Sequence, residues 1–91
     1  MPASSEALET LTVLPDTVDL HARPAADFVR MAMRFEAEIS VASGDREADA
    51  KSLLAVLGLG ATRGTTLRLT ASGADAEPAL AGLAACISSL E

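Results

Sequence analysis

The spacing of apolar residues along this chain switches between two periods, and the order of those switches limits the fold more than any single residue does. Ala37, Ile39 and Val41 alternate with Glu38 and Ser40, and Leu67, Leu69 and Ala71 alternate with Thr66, Arg68 and Thr70. Both runs have the period of a strand with one buried face. Between residues 22 and 35 the spacing is helical instead: Ala25, Phe28, Val29, Ala32 and Phe35 share one side, and Arg23, Asp27, Arg30 and Arg34 share the other. Leu80, Leu83, Ile87 and Leu90 repeat at three, four and three residues, after an N-cap candidate at Asp75 and with Pro78 tolerated in the first turn. Ser43-Gly44-Asp45 is a turn leading to a returning strand over 46–50, with Ala48 and Ala50 facing in. Ser52 reads as the cap of a short helix over 53–57, stopped by Gly58 and Gly60. A strand over 11–14 opens the ordered chain, with either Leu11 and Val13 or Thr12 and Leu14 turned inward, and a loop over 15–19 follows. The order βαββαβα predicts an α+β domain with helices packed on one face of a mostly antiparallel sheet.

Composition narrows the functions open to such a domain. Ninety-one residues make one domain, and with Phe28 and Phe35 as its only aromatics the core must be built from Leu, Val, Ile and Ala. Stacking platforms for bases are missing, and a net charge of -6 opposes general attraction to nucleic acid or anionic lipid, so neither is an expected partner. Cys86 stands alone, which excludes an intrachain disulfide and argues against a zinc cluster. Residues 1–10 carry no basic residue and no apolar core and read as a polar leader ahead of a domain over 11–91. The longest apolar run, 53–61, is broken by two glycines and falls far short of the ~20 residues that span a bilayer. A cytoplasmic protein without membrane insertion is expected.

His21 is the only histidine, and it stands where the loop passes into the first helix. The first N–H groups of a helix lack intrahelical partners and point outward, so an anion placed there gains hydrogen bonds and the positive end of the helix dipole. A neutral imidazole is a nucleophile, and Arg23 two residues on can hold phosphoryl oxygens with its forked guanidinium. The bland alternative has His21 only capping the helix and Arg23 pairing with Asp27 at i, i+4 spacing. A hydrolytic triad lacks its placed nucleophile, and a metal site lacks ligands.

Two segments sharpen this. Leu20-His21-Ala22-Arg23-Pro24-Ala25-Ala26 resembles the active-site signature of HPr, the phosphocarrier family of the phosphoenolpyruvate-dependent phosphotransferase system. Lys51-Ser52-Leu53-Leu54-Ala55-Val56-Leu57-Gly58-Leu59-Gly60-Ala61 resembles that family's second signature, and the likeness continues through Gly64 and Ala71-Ser72-Gly73-Ala74-Asp75. The resemblance implies an open-faced β-sandwich, a four-stranded antiparallel sheet covered on one face by three helices. It implies that His21 takes a phosphoryl group on Nδ1 from Enzyme I and passes it to the IIA component of a sugar transporter. Arg23 and the backbone N–H groups of Ala22 and Arg23 would receive its oxygens. The protein would then be a stoichiometric carrier, not an enzyme, and would act as a monomer with no metal or cofactor of its own.

By the same likeness Ser52 matches a serine that a dedicated kinase phosphorylates in many members, although serine also suits a plain N-cap. Ala26, Arg30, Leu53, Leu54 and Leu57 would form the partner-binding surface, with Arg34 extending its basic rim. A regulatory binding module controlled through Ser52, or a carrier in a nitrogen-related phosphotransfer chain, is the alternative. Two positions depart from the signature: Asp19 stands where the family commonly has Gly, and Val18 where it has a small polar residue. Asp19 is expected to keep a left-handed backbone and to bring its carboxylate near the phosphoryl oxygens, where repulsion would cost roughly 1 kcal/mol per charge pair.

Overall fold

The computed structural model describes residues 7–90. Seven elements follow one another as β1 (Leu8–Val13), α1 (Ala22–Ala32), β2 (Glu38–Ser43), β3 (Arg46–Asp49), α2 (Leu53–Gly58), β4 (Thr66–Ser72) and α3 (Ala76–Ser88). The four strands form one sheet in the order β1-β4-β2-β3, every neighbouring pair antiparallel. This is the expected open-faced sandwich. Alternation places Ile39, Val41, Ala48, Leu67, Leu69 and Ala71 on the helix side, where all are buried, while Glu47, Asp49, Arg68 and Thr70 line the open side. Phe28 lies fully buried in the shared core with Leu14, Val56, Leu83 and Ile87, so one aromatic ring and aliphatic side chains fill the space between the layers.

The N-terminal expectations need correction. β1 begins at Leu8, so residues 8–10 belong to the sheet and not to a polar leader; residues 1–6 lie outside the described residues. Pairing with β4 supplies the reason: residues 8–10 lie opposite residues 71, 70 and 69, and a main-chain ladder needs no apolar side chain in the partner strand. The open register is also decided: Thr12 and Leu14 face the core, and Leu11, 63% exposed, lies on the open face with Val13.

α1 starts where expected but closes three residues early, at Ala32. Its last amides tighten to i−3 partners, Arg34 N–H to Met31 O and Phe35 N–H to Ala32 O, and the Lys51 ammonium takes the Phe35 carbonyl at 2.7 Å. Asp75 precedes α3 as its N-cap residue, yet its side chain makes no cap bond. Its carboxylate instead accepts the N–H groups of Glu36 at 2.9 Å and Ala37 at 2.8 Å, clamping the α1–β2 connection to the start of α3. Those hydrogen bonds, that from Glu36 foremost, hold the Asp75 carboxyl below its ordinary pKa against a smaller opposing effect of desolvation. Gly73 makes the clamp possible, since at φ +140° a Cβ there would sit 2.9 Å from the Ala37 Cα.

Candidate functional site

His21 is the N-cap residue of α1, in extended conformation, and its N–H donates to the Asp19 carbonyl at 2.8 Å while its carbonyl accepts from Ala25. Its side chain makes no capping hydrogen bond and is exposed, leaving the imidazole free. Ala22 and Arg23 fill the first two helical positions, where no i−4 carbonyl exists for their N–H groups, and Pro24 fills the third without an N–H to satisfy. No acidic residue occupies this first turn, so nothing there neutralises the positive helix end. The start of α1 thus presents the N–H groups of Ala22 and Arg23 without intrahelical partners.

Arg23 is exposed and forms no ion pair among the described residues. The Arg23–Asp27 pair of the bland alternative is not formed: Asp27 pairs with Arg30 instead, and Arg23, two residues after His21, keeps its guanidinium unpaired. That pair also occupies Arg30, so Arg23 and Arg34 are the arginines of this stretch that form no ion pair among the described residues. Ala26 is partly exposed on the same helix.

α2 packs against α1 on the covered side of the sheet. Ser52 caps it as expected, its Oγ accepting the Ala55 N–H at 3.3 Å. The leucines divide: Leu54 is 84% exposed and Leu53 41%, whereas Leu57 packs against the core beside the fully buried Val56. Leu57 is thus mainly a core contact, because a two-turn helix lying on a sheet must turn part of its apolar surface inward. The Arg46 guanidinium donates to the Gly58 carbonyl at 3.1 Å and closes the other end of α2.

The approach to His21 holds the largest departure from expectation. Asp19 does not adopt a positive φ. Its carboxylate turns to the 62–64 turn, where Oδ1 accepts the Arg63 N–H at 2.8 Å and lies 3.6 Å from the Arg63 Nε. Val18 is buried, which accounts for an apolar residue at that place. Arg63 was not singled out by sequence reasoning, because nothing in its neighbours signals a partner 44 residues away.

Comparison with known proteins decides what this arrangement belongs to. The family described as PTS HPr component phosphorylation site matches residues 8–89. The chain belongs to the HPr family. It is a phosphocarrier of the phosphotransferase system, its partners are components of that system, and a phosphocarrier is not an enzyme in the general sense. The phosphocarrier protein HPr of Haemophilus influenzae is 47% identical over 72 residues, 79% of this chain and 85% of that one. Among solved structures, HPr-C-His from Thermoanaerobacter tengcongensis superposes with a TM-score of 0.85 at 35% identity, over 90% of this chain and 92% of that one. An HPr dimer from the same organism superposes with a TM-score of 0.72 at 40% identity, over 77% and 80% of the two chains. No helix among the described residues of this HPr-family chain is long and apolar enough to cross a membrane.

Proposed function

We propose that His21 is the residue that carries the phosphoryl group, accepting it on Nδ1 from phospho-Enzyme I and giving it to the IIA component of a sugar transporter. The supporting observation is an exposed imidazole at the start of α1 that is not used for capping, with Arg23 unpaired two residues on. In the accepting step a neutral ring nitrogen attacks phosphorus in line, the new N–P bond forms as the bond to the donor breaks, and the donor leaves with that electron pair. The N–H groups of Ala22 and Arg23 and the Arg23 guanidinium take the equatorial oxygens as charge shifts among them. The donating step reverses this geometry and returns the carrier unchanged, which makes it stoichiometric. One chain is the acting unit in this reading, since His21, Arg23 and the exposed leucines of α2 all belong to it. The setting is cytoplasmic, where the soluble donor would meet it.

Ser52 caps α2 in the resting protein, and its second role in this reading is to accept a phosphoryl group from a serine kinase. The dianion would arrive beside Leu53 and Leu54 and oppose docking there by charge and by desolvation. Incubation with phosphoenolpyruvate and purified Enzyme I tests the main reading. One acid-labile phosphoryl group per chain is expected, absent in His21→Ala and formed about 10²-fold more slowly in Arg23→Ala, as for loss of one charge-stabilising donor. Equal labelling of His21→Ala, or an acid-stable adduct, would overturn it.

A further inference from the structure

The two segments that meet beneath His21 are stitched by main-chain bonds on either side of one side-chain contact. Leu14 N–H donates to Thr65 O at 2.9 Å, Gly64 N–H to Leu14 O at 3.1 Å, and Leu20 N–H to Ala61 O at 3.0 Å. Between these, the side-chain hydrogen bond that joins the two segments among the described residues is that of Asp19 with Arg63. Asp19 therefore faces two ways. Its carbonyl accepts the His21 N–H at 2.8 Å, and its carboxylate accepts the Arg63 N–H at the same distance. We propose that Asp19 and Arg63 are positioning residues for phosphoryl transfer, a latch that ties the backbone of His21 to the 62–64 turn and keeps the Asp19 charge paired and directed away from the incoming phosphoryl group.

The physical case has two parts. A reacting atom must be held within a few tenths of an ångström of its productive place, and His21 sits at a loop end that no side-chain cap restrains. The latch supplies that restraint through a continuous path, His21 N–H to the Asp19 carbonyl and Asp19 carboxylate to the Arg63 N–H. The second part is electrostatic. A carboxylate two residues before the phosphoryl acceptor would repel the oxygens, and the Arg63 guanidinium at 3.6 Å neutralises it where it stands. Both side chains are partly exposed, so the ion pair itself adds little stability, and the role is one of position and charge placement.

The inference rests on His21 as the phosphoryl acceptor, and its test separates the two. Wild type, Asp19→Ala, Asp19→Asn and Arg63→Ala are compared for transfer from phospho-Enzyme I at saturating and sub-saturating concentrations, and for amide hydrogen exchange without any partner. Asp19→Ala should lower the saturated rate about three- to tenfold, the equivalent of one hydrogen bond, with KM unchanged. The amides of His21 and Arg63 should exchange faster in the same variant. Asp19→Asn should restore most of both, because a carboxamide oxygen still accepts the Arg63 N–H. Arg63→Ala should keep the amide protection, since it retains the backbone donor, while slowing transfer through the uncovered Asp19 charge. Unchanged protection of Arg63 in Asp19→Ala, a loss confined to KM, or Asp19→Asn as slow as Asp19→Ala would overturn the latch. A wild-type chain that takes no acid-labile label would overturn the carrier reading instead, leaving the exchange measurement to judge the latch by itself.

Discussion

Truncating Leu54 to Ala should separate docking from folding at a single residue. Leu54 is 84% exposed, so the folded chain gains almost nothing from its side chain, and Ala is at least as good a helix former. On a partner's surface the same side chain would lose nearly all of its contact with water. The three carbon groups removed, at ~0.8 kcal/mol each, set a ceiling of about 2 kcal/mol on the loss, and imperfect burial brings the expected cost to roughly 1–2 kcal/mol. That range weakens the dissociation constant about 5- to 30-fold. Val56 is the control, fully buried on the opposite side of the same helix: Val56→Ala should cost about 1–3 kcal/mol of stability. The melting temperature should then fall by at least about 4 °C. Calorimetric titration with purified Enzyme I and thermal unfolding of both variants decide the matter. If Leu54→Ala lowers the melting temperature as much as Val56→Ala does, or binds Enzyme I with wild-type affinity, the assignment of the exposed side of α2 to docking is wrong.

Ser52→Asp should leave the melting temperature within a few degrees of wild type, because an aspartate caps a helix as serine does, and should weaken association with Enzyme I; equal affinity of the two proteins would leave Ser52 a cap alone. Acid should loosen the Asp75 clamp. The folded carboxyl lies below its ordinary pKa, so the stability it contributes is complete above that ordinary value and is lost as pH falls through the folded one. The stability gap between wild type and Asp75→Asn, measured by denaturant unfolding, should therefore narrow from neutral pH to below about pH 4. A gap of the same size at both ends would show that Asp75 acts through its shape and not its charge.

Much of this protein was legible because its signals are local. The alternation about Leu67, the helical spacing about Phe28 and the glycines at 58 and 60 each report on the few residues around them, and their order alone limited the architecture to helices on one face of an antiparallel sheet. The helix start itself was legible for the same reason, since the N–H groups of Ala22 and Arg23 without intrahelical partners follow from where a helix begins. What only the tertiary structure decided involves residues far apart in the chain. β1 extends to Leu8 because β4 lies beside it, and Thr12 rather than Leu11 faces inward because the pleat is set by that pairing. The Asp75 carboxylate accepts from residues 36 and 37 rather than capping its own helix, and the Asp19 carboxylate accepts from Arg63, 44 residues away. A carboxylate goes to the nearest unpaired N–H groups, and which groups are nearest is known only after the chain has folded.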